Sequence, residues 1–149
     1  MNERRSARML ALDIFYEAEI RDQLPVEAFA SKRSSGWIAE DIADVSGGMA
    51  DPSPSVLDYA GDLVEGVQAH QAEIDSLITQ FADKWTIDRM PVIDRNILRL
   101  AMYELLWGDD VPVAVAVNEA VEMAKILSTE DSGRFINGVL GKIVDERVR

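Results

Sequence analysis

Apolar residues recur along most of this chain at the three-and-four spacing of a helix, and no stretch alternates as a strand would. The first stripe, Ala7, Leu10, Ala11, Ile14, Phe15 and Ala18, predicts a helix over residues 3–22. Pro25 suits the first turn of a second helix that runs to about Arg33. The pattern then breaks. Ser34–Ser55 contains Gly47, Gly48, Pro52 and Pro54 and reads as a long flexible loop, with at most one short helical turn around Trp37–Val45. Helical patterning resumes at Val56 and continues to Trp85, with a division expected near His70. Pro91 begins a strongly apolar helix that Gly108 ends. Pro112 opens another that reaches Leu127, and Ser128 or Thr129 caps the last, with Asp131 in its first turn as the helix dipole favours. The expected fold is all-α. About seven helices form two small sub-bundles around a shared core, with residues 1–149 as a single domain.

Some faces are not explained by a core stripe. On the first helix, Arg5, Arg8, Met9, Leu12 and Tyr16 lie nearly opposite Ile14. Another helix could cover them, since a central helix can be apolar all round. They could instead be an exposed surface, with arginines for phosphates and Leu12 with Tyr16 for a partner. On the Pro91–Trp107 helix, Glu104 falls among Ile93, Ile97 and Leu100, where an isolated carboxylate is costly. It is expected to tie down a helix end or an arginine. Asp94, Arg95 and Arg99 fall on the sides, within reach of solvent.

The last helix has a core stripe of Ile136, Val139, Leu140 and Ile143, with Asp131, Arg134, Gly138 and Gly141 away from it. Phe135 sits on the border, either closing the core or offering a stacking face to an unpaired base. Gly133, Gly138 and Gly141 each cost the helix roughly 1 kcal/mol relative to alanine. Something is therefore expected to come close to that backbone, either a neighbouring helix or a ligand.

Composition narrows the function more than the fold. The chain is 48% hydrophobic with a formal charge of −12, from 15 Lys and Arg against 27 Asp and Glu. Bulk electrostatics therefore cannot hold nucleic acid, and any such role needs a local basic patch. The basic residues are uneven in that way, with Arg4, Arg5 and Arg8 crowded at one end. No apolar run approaches the ~20 residues of a membrane span. The basic-then-apolar start resembles a secretion signal, but Asp13 interrupts it and no small-residue cleavage site follows, so it reads as a helix of a soluble protein. There is no cysteine, which excludes disulfides, thiol catalysis and zinc–thiolate sites and fits a cytoplasmic location. The single histidine, His70, sits on a polar helix face with no companion for a metal or a catalytic triad. No phosphate-binding glycine loop is present. The expectation is a protein that is not an enzyme and needs neither cofactor nor metal.

Four segments, in order and at their spacings, carry a family resemblance: RRSAR leading into a helix with Tyr16, VIDRNILRLAMYELLW, DVPVAVAVNEAVEMAKIL and EDSGRFINGVLGKI. Together the chain resembles the NusB family of bacterial transcription antitermination factors. The resemblance implies two small three-helix bundles. It also implies binding to the boxA element of nascent ribosomal RNA, together with the small-subunit ribosomal protein NusE, in a transcription elongation complex. Arg4, Arg5 and Arg8 match its arginine-rich RNA-contacting segment, and Asp131, Arg134 and Phe135 match its second RNA-facing segment. Tyr16, Asp88 and Asp94 match positions that face the protein partner. The resemblance leaves room for a homodimer that hides the RNA face, and the charge keeps open a protein–protein adaptor with little RNA binding. A related helical module also begins ribosomal RNA cytosine methyltransferases, but those add a cofactor-binding sheet and a catalytic cysteine.

Overall fold

The structure, a computed structural model, describes residues 3–35, 52–82, 85–108 and 110–148. Six α-helices are found among them: α1 (Glu3–Arg21), α2 (Pro25–Ser35), α3 (Pro54–Phe81), α4 (Val92–Trp107), α5 (Val113–Leu127) and α6 (Glu130–Ile143). A 3-10 turn at Ile87–Arg89 precedes α4, and a π turn at Val144–Val148 follows α6. The fold is all-helical, as the periodicity predicts. Most of the expected loop, including the turn around Trp37–Val45, lies outside the described residues. Its expected ends are helical, however: α2 continues to Ser35 and α3 begins at Pro54.

Two compact units divide the chain, residues 1–69 and residues 70–149. In the first, every residue of the predicted α1 stripe is buried, and α2 contributes Ala28 and Phe29. α1 ends without a glycine. Asp22 takes the left-handed conformation (φ 55°), while Gln23 N–H reaches Ala18 O at 2.9 Å and Asp22 N–H reaches Glu19 O at 3.4 Å. This pairing satisfies carbonyls that would otherwise be orphaned at the helix end. The N–H of Val26 at the start of α2 donates to Gln68 Oε1 at 2.9 Å, which joins α2 to α3. α3 has Ser53 ahead of Pro54, and the Ser53 hydroxyl accepts from Val56 N–H at 3.2 Å. A serine cap before a proline in the first turn is a strong helix start.

The expected division of α3 near His70 does not occur, because α3 is one helix of 28 residues. Its apolar stripe, Val56, Ala60, Leu63, Val64, Val67, Ile74, Leu77 and Ile78, is buried along both halves, and no proline interrupts it. His70 is likewise not on a polar face. Its ring stacks on Trp107, with centroids 4.1 Å apart and planes at 14°, and lies 6.2 Å from Tyr103.

In the second unit α4 is buried on nearly every side, and this includes Asp94, Asn96, Arg99 and Glu104. Arg99 does not reach for solvent. Its Nε donates to Asp75 Oδ1 at 2.8 Å, its Nη2 to Asp75 Oδ2 at 3.1 Å and its Nη1 to Asn96 Oδ1 at 3.1 Å. Such a bidentate pair fixes geometry as well as charge. Glu104 is buried as expected and is not without a partner. α5 packs on both α6 and α4, and its Ala116, Ala120, Met123 and Ala124 are buried. The α6 stripe, Ile136, Val139, Leu140 and Ile143, is buried as predicted.

Candidate nucleic-acid interface

The arginine-rich start of α1 is anchored from α3. The Ser53 and Ser55 hydroxyls both donate to Glu3 Oε2, at 3.0 and 2.8 Å. These two bonds, Ser55 first, hold the Glu3 carboxyl below the usual carboxylate range. The next residue, Arg4, places its guanidinium over the Tyr59 ring, 4.5 Å from the centroid. Arg4 and Tyr59 line a recess of about 320 Å³ with Glu3, Ser55, Asp58 and Asp62. The arginine therefore sits among three carboxylates, which weakens the local positive field that phosphates would see.

Arg5 is half-buried, and Arg8 is buried at 1% exposure. Met9 and Leu12 are buried too, Leu12 at 3%. The reading of this face as an exposed contact surface is therefore corrected for Arg8 and Leu12. α1 is enclosed on both of its apolar sides, as a central helix is. Arg8 is an internal side chain engaged within the protein. Tyr16 remains exposed at 44%, and Ile20 and Leu24 continue an exposed apolar row beyond it. The sequence pattern marks only Tyr16 there; Ile20 lies in the last turn of α1 and Leu24 in the turn that follows.

In the second unit the candidate residues gather at the start of α6. Thr129 is its cap, and the Thr129 side chain accepts from Ser132 N–H at 3.0 Å. Asp131 and Arg134 are exposed and pair with each other one turn apart. An exposed pair of this kind contributes little to stability and is easily exchanged for another partner. Phe135 is half-buried, and Trp85 meets it edge-on, with centroids 6.4 Å apart and planes at 67°. The two rings line a recess of about 270 Å³ with Met90, Pro91, Asp94, Asp131 and Ser132. Phe135 thus neither closes the core nor stands free of the protein.

The two acidic candidates part company. Asp88 is exposed on the 3-10 turn. Its carboxyl is held below the usual range by the Thr86 side chain first, then by a backbone hydrogen bond, with Arg89 and Arg95 adding to the effect. Asp94 is buried at 4% exposure and accepts from the Ser132 hydroxyl at 2.8 Å. The expectation that Asp94 reaches solvent and faces a partner is corrected. Its helix position falls on the side that α6 covers.

The three glycines of the last helix separate in the same way. A Cβ on Gly133 would lie 3.0 Å from Lys125 Cγ and 3.7 Å from Val121 O, so there the close neighbour is α5. A Cβ on Gly138 or Gly141 would meet nothing within 4 Å among the described residues.

A family model described as the NusB family matches residues 5–145. The chain belongs to the NusB family. It is 45% identical over 149 residues to the transcription antitermination protein NusB of Salinispora arenicola, covering 100% of both chains. Its identity to the NusB protein of Acidothermus cellulolyticus is 48% over 143 residues, covering 96% of this chain and 88% of the relative. Among solved structures it resembles T. maritima NusB with a TM-score of 0.73 and 30% identity, over 100% of this chain and 94% of the other. It also resembles a chain in a crystal structure of the antitermination factors NusB and NusE in complex with dsRNA. There the TM-score is 0.75 and the identity 28%, over 97% of this chain and 98% of the other.

For a NusB-family chain, sequence reasoning overlooked three residues that shape these recesses. Trp85 and Ser132 stand around Phe135, and Tyr59 carries Arg4. Only Trp85 left a signal, as a large aromatic residue ahead of a proline-marked helix start. Among the described residues, no cluster of His, Cys, Asp or Glu is placed to hold a metal ion. Among the same residues, no helix is long and apolar enough to cross a membrane.

Proposed function

We propose that this chain is a non-catalytic transcription antitermination factor, acting as one module in the cytoplasm. It binds the boxA element of nascent ribosomal RNA together with the ribosomal protein NusE, within a transcription elongation complex. The observation that carries this reading is similarity along essentially the whole chain to antitermination proteins, joined by similarity to a chain crystallised with NusE and dsRNA. The site geometry supports it. Arg4, Arg5 and Arg134 supply charge for phosphates. Phe135, edge-on to Trp85 and open to a recess, supplies an aromatic face for a base. Asp131 holds Arg134 ready. Tyr16, with Ile20 and Leu24 beyond it, offers an apolar partner face, and Asp88 offers a persistent negative charge to a basic protein.

With a charge of −12 and carboxylates around Arg4, the RNA affinity of the chain alone is expected to be weak and to rise when NusE is present. Titration of fluorescently labelled boxA RNA, with and without NusE, measures this directly. Binding tenfold or more tighter with NusE is the expected result. No binding in either case at low salt would favour a protein–protein adaptor, the reading that the acidic surroundings of Arg4 otherwise suggest.

A further inference from the structure

The start of α6 is held to α4 by a chain of hydroxyl groups that ends on a buried carboxylate. Ser132 Oγ lies 2.8 Å from Asp94 Oδ2, 2.9 Å from Ser128 Oγ and 3.1 Å from Thr129 Oγ1. A serine hydroxyl has one proton to give, and a carboxylate oxygen can only accept. The Ser132 proton therefore goes to Asp94, and the Ser128 and Thr129 hydroxyls donate into Ser132. Thr129 Oγ1 in turn accepts from Ser132 N–H at 3.0 Å, which closes the cap. Ser132 and Asp94 are both buried, and bonds of this kind gain strength from one another away from water.

The residues fixed in this way are the ones that face outward. Ser132 follows Asp131 directly, and Phe135 comes three residues later, one turn along the helix. Met90, Pro91 and Asp94 line the same recess from the start of α4. That start is fixed separately by Arg95 Nη1, which donates to Met90 O at 2.9 Å. The Asp94–Ser132 bond thus sets the first turn of α6, and with it Phe135, against the wall that carries Trp85.

We propose that Asp94 is a positioning residue for the RNA-facing segment Asp131–Phe135, acting through Ser132 rather than by contact with RNA or partner. This rests on the RNA-binding reading above, but part of its test does not. Asp94 Oδ1 makes no hydrogen bond among the described residues. Asp94→Asn can therefore keep an oxygen for Ser132 while its amide nitrogen replaces that atom. Asp94→Ala removes the acceptor, and Ser132→Ala removes the donor.

Two readouts apply. The first is affinity for boxA RNA in the presence of NusE. The second is the indole N–H resonance of Trp85, assigned by loss in Trp85→Phe, which reports the position of Phe135 with no RNA present. Asp94→Ala and Ser132→Ala are expected to move the resonance and weaken RNA binding about tenfold, while Asp94→Asn stays within twofold of the parent protein with its resonance in place. If Asp94→Asn is as damaging as Asp94→Ala, the charge matters rather than the bond, and the proposal fails. It fails too if Ser132→Ala leaves both readouts unchanged, and that variant decides should Asp94→Ala not fold. If the parent protein binds no RNA, the resonance alone tests the positioning, and the loss falls on the function instead.

Discussion

Arg8 and Phe135 show how little a residue's type reveals until its burial is known. Both belong to segments that match RNA-facing stretches of the family, yet Arg8 is enclosed at 1% exposure and Phe135 is half open. A buried arginine packs a long aliphatic stem as well as a charge. Its removal leaves both a cavity and an engaged group without its partner. Arg8→Ala is expected to cost about 2–4 kcal/mol of unfolding free energy in urea titrations, with RNA affinity unchanged wherever the variant is folded. Phe135→Ala should behave in the opposite sense. It is expected to cost about 1 kcal/mol or less, since the ring has one rigid aromatic neighbour and an open recess, while RNA binding falls about tenfold for a lost stacking face. If Phe135→Ala unfolds the protein and Arg8→Ala abolishes binding in a stable fold, the two assignments are reversed.

Helices with a clean stripe were legible as sequence, and features that depend on distant neighbours were not. The six apolar positions of α1 and the four of α6 are all buried as their spacing predicts, because a 3.6-residue period is a property of the helix itself. The second face of α1 is different. Whether Met9 and Leu12 meet water or protein depends on other elements, and no local pattern carries that information. The length of α3 predicts a division, but its stripe continues past His70 without a break, and the ring stack on Trp107 lies 37 positions away in sequence. The glycines of α6 follow the wheel instead. Gly133 lies beside the core stripe and has a close neighbour in α5, while Gly138 and Gly141, away from the stripe, meet nothing within 4 Å among the described residues. Gly138→Ala and Gly141→Ala should each therefore stabilise the isolated protein by roughly 0.5–1 kcal/mol, since alanine is the better helix former and has room. Thermal or urea unfolding measures this. A stabilised variant with weakened RNA binding would show that the ligand approaches that backbone. A destabilised one would mean that the space is filled in solution.

At the scale of the molecule, charge is the quantity that function must overcome. The surface carries a formal charge of −12, so RNA phosphates meet net repulsion except where arginines are gathered, and that attraction is screened within a Debye length of about 8–10 Å at physiological salt. Each phosphate neutralised on a single strand contributes a slope of about −0.7 to the dependence of log K on log salt. Arg4, Arg5 and Arg134 together therefore predict a slope of about −2 for this protein's own contribution, shallow for a nucleic-acid binder. Replacing all three by alanine should flatten the slope in the presence of NusE by about that amount, and replacing Arg8 should leave it alone. The dependence is read from boxA titrations between about 50 and 200 mM salt, a range in which proteins with many phosphate contacts lose several decades of affinity. A slope unmoved by the triple substitution would put the phosphates on NusE. The role of this chain would then be reduced to shaping the base pocket around Phe135 and Trp85 and holding the partner at Tyr16.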